Sequence, residues 1–570
     1  MPMPPPLDAR SLPPARSPRV RRPRPWRPTL VPVLLAVSLL LALVHAAPSA
    51  PPIAVPARAL ASITARNMAA HLRFLTSDLL EGRVVGHRGN DVAQVYIASV
   101  LERLGLEGVD IARDGPYYQP FEMVGEVRGP GNRLVVRQGQ AGQETERPYE
   151  IGADFMPVNI SGIGEASGPV AFAGYGISSP AFGRDDYQGL DVRGKIVLVQ
   201  EGPLNVPASE VTPSVKARTA QAHGAVGLII ITSAMATIDG NRVWPEKTSP
   251  KVNRYILIER AENVDIPVAD ITVRLADQLL GDGHTVQALQ KALDAKQPGT
   301  SFALPSVRAD LAINLVRRHV IVRNLLAMVR GTDPKLKNEV VVIGAHFDAN
   351  GIDDKGLIYT GADDNGSGTA AVLNVAEAFA RAAEAGWRPR RTVLFALWDG
   401  EEKGRAGSTY YVGHRLPAWG TVVVDINVDH AGRNEENIDQ SDPRFKGFPL
   451  MSSQQNANVL HLLAYSFCPD VAKVVMEENK AIGLDVREDY DQHVSNLVRR
   501  SDHWSFLSAG IPAVFLHTGL HPDYHMPTDT IEKINFPKLE KVARLAFRTV
   551  WHLSNQDARP QPPRAKAAAD

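Results

Sequence analysis

Six consecutive apolar residues, Val340 to Ala345, run directly into His346-Phe347-Asp348. A strand that is apolar at every position has to be covered on both faces, which places it inside a helix-covered sheet. The pattern recurs downstream. Thr392 to Trp398 runs into Asp399-Gly400-Glu401-Glu402, Val422 to Val428 into Asp429, and Pro512 to Leu516 comes shortly before Tyr524-His525. Gly368 to Ala383, between the first two runs, is helical in pattern. Strands alternating with helices predict an α/β fold with a mostly parallel sheet flanked by helices. In such sheets the loops at the carboxyl ends of the strands converge on one crevice, where chemistry is done.

At 570 residues the chain is expected to hold two or three domains. Residues 1–46 read as a signal peptide. Arginines up to Arg27 precede the uncharged run Leu30 to Val44, and small residues follow at Ala46 and Ala47, where cleavage is expected. About 15 apolar residues containing Pro32 are short for a membrane span, so the product is expected to be secreted or periplasmic. It would be membrane-held only if the signal stays uncleaved. Residues 57–112 are helical in pattern: Asn90 is placed to cap a helix with Val92, Tyr96, Val100 and Leu104 on its apolar face and Gly105 as its stop. Residues 113–306 change to short β-like runs with frequent glycine and read as an inserted α+β module. Residues 307–555 carry the strand and helix alternation, and 556–570 look like a flexible tail.

Seven Arg and one Asp lie in residues 1–46; without them, 55 basic residues face 61 acidic ones. That balance does not point to nucleic acid. Cys468 is the only cysteine, so an internal disulfide and a cysteine-rich zinc finger are both excluded. It reads as a small buried hydrophobe. Any metal has to be held by His, Asp and Glu.

The residues at the strand ends offer such donors. His346 and Asp348, two apart, can point the same way, with the carboxylate accepting from the imidazole N–H that faces away from a metal. Asp364 lies 18 residues after His346 in a loop with Gly361, Gly366 and Gly368. An Asp there can bridge two cations, or can serve as an ordinary helix N-terminal charge together with Asp363. Glu401 and Glu402 are either a solvated pair or a split pair, one binding metal and the other free to take a proton. Asp429 and His525 complete five potential N/O ligands after successive strands.

Val342 to Asp348, Gly361 to Gly368, Trp398 to Gly404, Asn427 to Asp429 and Tyr524 to Thr530 together resemble the ordered motifs of the co-catalytic zinc aminopeptidase family. That family also includes glutamate carboxypeptidase II-like enzymes and the metal-free transferrin receptor ectodomain. Phe172 to Gln200, with Gly174-Tyr175-Gly176-Ile177 and Asp185-Asp186-Tyr187, is similar to the protease-associated domain inserted in many members. The resemblance covers roughly residues 66–553. It implies a two-Zn²⁺ peptidase in which Asp364 bridges both ions, His346 and Asp429 complete one site, and Glu402 and His525 complete the other. Glu401 would be the general base, Asp348 the partner of His346, and Tyr524 a donor to the developing oxyanion. Peptides are the implied substrates. His430 departs from the family pattern, where an apolar residue usually follows the metal Asp.

Within the family, a carboxypeptidase or dipeptidase would need basic residues for a substrate carboxylate, for which Arg405, Arg499 and Arg500 are candidates. A glutaminyl cyclase is disfavoured by the inserted module. A catalytically dead binding protein is disfavoured by the complete ligand set. Ser501-Asp502-His503 reads as a structural or pocket element, with His503 outside the ligand set.

Overall fold

The computed structural model describes residues 53–564, except 110–114, 141, 181–182, 203–211, 233–235, 239–240, 244–254, 262–263, 282, 298, 354, 416, 440, 442–444, 446 and 494. The signal peptide reading of residues 1–46 falls outside them.

A ten-stranded sheet forms the frame of the site. Its order is Tyr255–Leu257, Tyr118–Arg128, Leu315–Val329, Thr392–Trp398, Glu339–His346, Thr421–Val428, Ala513–His517, Val459–Leu463 and Asp485–Arg487, with Glu107–Gly108 pairing onto Leu315–Val329. Thr392–Trp398 and Thr421–Val428 both lie parallel to Glu339–His346, and Ala513–His517 continues that direction. These four strands form a parallel centre, as the uninterrupted apolar runs require, and they are almost wholly buried. Toward the edges the sheet turns antiparallel, at Leu315–Val329 and at Val459–Leu463. The expectation of a mostly parallel sheet therefore describes the centre, and the whole sheet is mixed.

Helices cover the sheet. Gly368–Glu384 packs against Phe536–Asn555, where the Phe379 ring lies 4.9 Å from that of Phe547 and 5.5 Å from that of Trp551. Ala65–Leu75 packs on the same pair. Cys468 is buried as expected, and burial pushes its thiol up to about 12. Among the described residues no helix is long and apolar enough to cross a membrane.

The helix Arg88–Arg103 corrects one expectation. Its N-cap is His87, and Asn90 sits inside the first turn, buried. The buried residues include Ala93, Gln94, Ile97, Leu101 and, as expected, Val100, whereas Val92 is exposed. The reason is polar: the side chains of Asn90 and Gln94 donate to the two carboxylate oxygens of the buried Asp399, at 2.9 and 3.2 Å. A face that solvates a buried carboxylate is invisible to apolar periodicity.

A second, eight-stranded sheet lies in the insert, in the order Thr145–Tyr149, Arg133–Gln138, Phe302–Ile313, Gly164–Phe172, Ile196–Gln200, Gly227–Thr232, Val268–Thr272 and Phe155–Pro157. Its helices Pro213–Ala222, Val273–Leu280 and Val286–Asp294 each begin after a threonine, Thr212, Thr272 or Thr285, whose hydroxyl accepts from the N–H three residues on. The boundary drawn at 306 falls inside the strand Phe302–Ile313, and the one at 113 lies outside the described residues. Tyr118–Arg128 and Tyr255–Leu257 belong to the large sheet: the chain leaves it at 129–132, returns to it for Tyr255–Leu257, and rejoins it after Asn314. The first and last crossings are tied together: Asn132 Nδ2 donates to Asn314 O at 3.0 Å, and Asn314 N–H donates to Asn132 Oδ1 at 2.7 Å. The long ribbon of Tyr118–Arg128 with Leu315–Val329 has the same β-like texture as the insert, so sequence alone does not separate them.

The supposed tail from residue 556 is docked over much of its described length. Arg391 and Arg390 bind Gln556 O and Asp557, Gln561 N–H donates to Asp470 at 2.8 Å, and Arg564 N–H donates to Phe467 O at 2.8 Å. Arginines taking backbone carbonyls and a carboxylate fasten a segment that composition alone marks as loose.

Candidate metal centre

The carboxyl ends of the parallel strands bring the expected residues together. His346 ends its strand, and Asp364 lies in the loop before helix Gly368–Glu384. Glu401 and Glu402 begin a single turn after Thr392–Trp398, and Asp429 follows Thr421–Val428. His525 arrives from the loop after Ala513–His517. The Asp364 loop needs its glycines at two places. A Cβ on Gly361 would lie 2.2 Å from Asp364 O, and one on Gly368 would lie 2.2 Å from Val428 O.

Asp364 faces two ways. Its Oδ1 lies 3.3 Å from His346 Nε2, which is 3.5 Å from Asp429 Oδ1. Its Oδ2 lies 3.0 Å from His525 Nε2, which is 3.4 Å from Glu402 Oε2. Two donor triads thus share one carboxylate. A third set, Asp363, His430 and His521, lies behind them, fully buried.

The donors of the first two sets fit cations. His346 Nε2 and Asp429 Oδ1 are buried without a hydrogen-bond partner. Burial, with Asp502, Glu402 and Asp429 nearby, pushes the Glu401 carboxyl well above the usual range against the pull of His346. Burial and then Asp364 raise Glu402 to about 7. Carboxylates crowded in a buried site call for positive charge. Oxygen and imidazole donors with no thiolate suit zinc in the open arrangement that leaves a position for water.

Asp348 does more than the sequence suggested. His346 Nδ1 lies 3.2 Å from the Asp348 carbonyl and 3.5 Å from its Oδ1. The carboxylate meanwhile accepts the backbone N–H groups of Glu401 at 3.0 Å and Glu402 at 3.3 Å, which sets the turn that presents both glutamates. Several partners were missed. Ser501 Oγ donates to Asp429 Oδ2 at 2.7 Å, and Asn350 Nδ2 to Glu402 Oε1 at 2.7 Å. Asp529 accepts from the N–H groups of Asp363 and Asp364 at 2.9 and 3.1 Å. The first and last lie within motifs already singled out by residue type. His503 is buried with Nε2 at 2.7 Å from Val498 O, which agrees with its place outside the ligand set.

Arg83 is the other partner that local sequence hid. Fully buried, it donates from Nε to Phe347 O at 2.7 Å, from Nη1 to Leu75 O and to Thr360 O at 2.7 Å, and from Nη2 to Gly361 O at 3.1 Å. One guanidinium therefore joins the His346 strand end to the Asp364 loop. Replacing it with Met leaves four carbonyls without that donor and is expected to cost about 3 kcal/mol or more. Chemical denaturation of Arg83→Met, read beside its zinc content, checks this; an unchanged denaturation midpoint would remove the anchoring role.

A cavity of about 410 Å³ opens over these groups, lined among others by Tyr524, His430, Phe515 and the arginines Arg405, Arg499 and Arg500. Residues 324–550, which carry every donor of the two triads, match Peptidase family M28, and residues 166–279 match the PA domain. The family M28 match thus falls on the part of the chain that bears both triads. The chain is 26% identical over 418 residues to the probable glutamate carboxypeptidase AMP1 of Arabidopsis thaliana, covering 68% of this chain and 52% of that protein. It is 26% identical over 540 residues to transferrin receptor protein 2 of Mus musculus, covering 86% and 62%. The chain spans about half the length of curated relatives such as AMP1 and the glutamate carboxypeptidase 2 homolog of Caenorhabditis briggsae. The solved aminopeptidase from Aneurinibacillus sp. strain AM-1 aligns at TM-score 0.54 and 20% identity, covering 88% of this chain and 95% of that one. This last likeness is one of fold.

Proposed function

We propose that this M28 protein is an exported zinc aminopeptidase that hydrolyses N-terminal residues from peptides. The observation that carries the reading is the pair of donor triads sharing Asp364, with Glu401 beside them: its Oε2 lies 3.9 Å from His346 Nε2. His346, Asp364 and Asp429 would hold one Zn²⁺, and Asp364, Glu402 and His525 the second. When bound, such ions supply Lewis-acid polarisation of the scissile carbonyl and make water a nucleophile near neutral pH. Glu401 takes the proton of the attacking water and returns it to the leaving amine. Tyr524, at the cavity wall, offers its O–H to the developing oxyanion. Asp348 keeps Glu401 and Glu402 pointed apart so that one can bind while the other moves a proton. Export rests on the arginine-rich, then apolar, character of residues 1–46, and N-terminal sequencing of the mature protein tests it: a start near Ala47 is expected, and an intact Met1 would remove it.

The three arginines around the cavity favour a second reading, a carboxypeptidase in which a substrate carboxylate is held by Arg405, Arg499 or Arg500. Rates on free, N-acetylated and C-terminally amidated versions of one peptide separate the two. An aminopeptidase is expected to lose activity on N-acetylation and keep it on amidation. The reverse pattern would overturn the first reading in favour of the second.

A further inference from the structure

The backbone of His430 is left-handed, φ 51°, and its imidazole lines the cavity although the residue is almost fully buried. The conformation is held from both sides. His430 O accepts from Thr518 N–H at 2.8 Å and from Thr518 Oγ1 at 2.6 Å, and Ala431 N–H donates to Ser367 Oγ at 2.9 Å. An L side chain in this region is costly and persists only where its surroundings impose it.

The ring so placed spans two neighbouring carboxylates. Nδ1 lies 3.3 Å from Asp363 Oδ2, and Nε2 lies 3.4 Å from Asp364 Oδ2. A neutral imidazole has one N–H and one lone pair, so it can donate to only one of them. Asp363 is already served: its Oδ1 accepts Gly432 N–H at 2.7 Å, and its Oδ2 is in hydrogen-bond contact with His521 Nε2 at 3.3 Å. His430 Nδ1 is buried without a hydrogen bond, and the contact of Nε2 with Asp364 Oδ2 is an approach at 3.4 Å rather than a formed bond. The histidines that face Asp364 Oδ2 are His525 and His430, and an imidazole that holds a metal through Nε2 has no proton there to give.

We propose that His430 is a positioning residue whose Nε2–H braces the shared carboxylate of Asp364 and thereby tightens the site formed with Glu402 and His525. The inference rests on the two-cation reading above. Groups behind metal-binding side chains fix their orientation, and losing one typically costs about 10- to 100-fold in metal affinity.

The test is zinc titration of apo-protein by calorimetry, for wild type, His430→Met and His430→Gln. Methionine fills the space without an N–H, whereas the glutamine amide can still donate. The expected result is two zinc ions in wild type, one of the two affinities reduced about 10- to 100-fold in His430→Met, and most of that loss recovered in His430→Gln. Met and Gln variants that behave alike would reduce His430 to packing and overturn the proposal. A third zinc in wild type that disappears in His430→Met would place an ion among Asp363, His430 and His521 and would also overturn it. A wild-type stoichiometry below two removes the two-cation reading itself, and the inference with it. If His430→Met does not fold, ¹⁵N-histidine NMR of the zinc-loaded wild type decides: a proton on Nε2 of His430 supports the assignment, and one on Nδ1 overturns it.

Discussion

Glu401→Gln is expected to lower kcat by about 100- to 10,000-fold, the usual contribution of a positioned acid/base group, while zinc content stays unchanged. Gln keeps the volume and the polar end of Glu but cannot take a proton. Metal content should be insensitive because Glu401 lies outside both donor sets, and because its backbone N–H, which the substitution does not touch, is what ties the turn to Asp348. The neighbouring Glu402→Gln is the contrast: it is expected to lose zinc as well as turnover. Steady-state kinetics beside metal analysis separates the two, and a Glu401→Gln enzyme with near wild-type kcat would show that another group moves the proton.

Zinc removal is expected to have the second largest effect. Dialysis against a strong chelator should abolish hydrolysis and lower the thermal midpoint, with both restored by added zinc. A ligand held at a thousand times its dissociation constant stabilises a fold by about 4 kcal/mol per site. The sharing of Asp364 adds a sharper expectation. Asp364→Asn should weaken both sites together, whereas Asp429→Asn or His525→Ala should weaken one, since only Asp364 contributes an oxygen to each triad. Metal analysis after gel filtration checks this, and equal losses in all three variants would argue against two separate sites with one common carboxylate.

Much of the centre is legible in the chain itself. His346, Asp364, Glu401, Glu402 and Asp429 each follow an apolar run or sit at a glycine-marked turn, and His525 follows the next strand. What is not legible depends on contacts between distant segments. Arg83 carries no local signal of its role, which exists only once its four carbonyl partners come together from residues 75, 347, 360 and 361. Asn90 reads as a cap until Asp399 is found beneath it. Asp348 reads as a partner for a nearby histidine, and only the fold brings the backbone of Glu401 and Glu402 onto its carboxylate.

The sequence by itself wrote the parallel centre of the sheet and the change of texture at the insert into short runs whose physics is local, apolar periodicity and glycine turns. It offered candidate donors at the strand ends, and it was the resemblance of their motifs to the zinc aminopeptidase family that implied which of them form a set. Tertiary structure decided where the insert joins, which groups hold the donors in place, and that His430 reaches both Asp363 and Asp364. Those are matters of which buried polar groups find each other across hundreds of residues, and the cost of leaving any one unpartnered is set by the assembled interior rather than by neighbours in the chain.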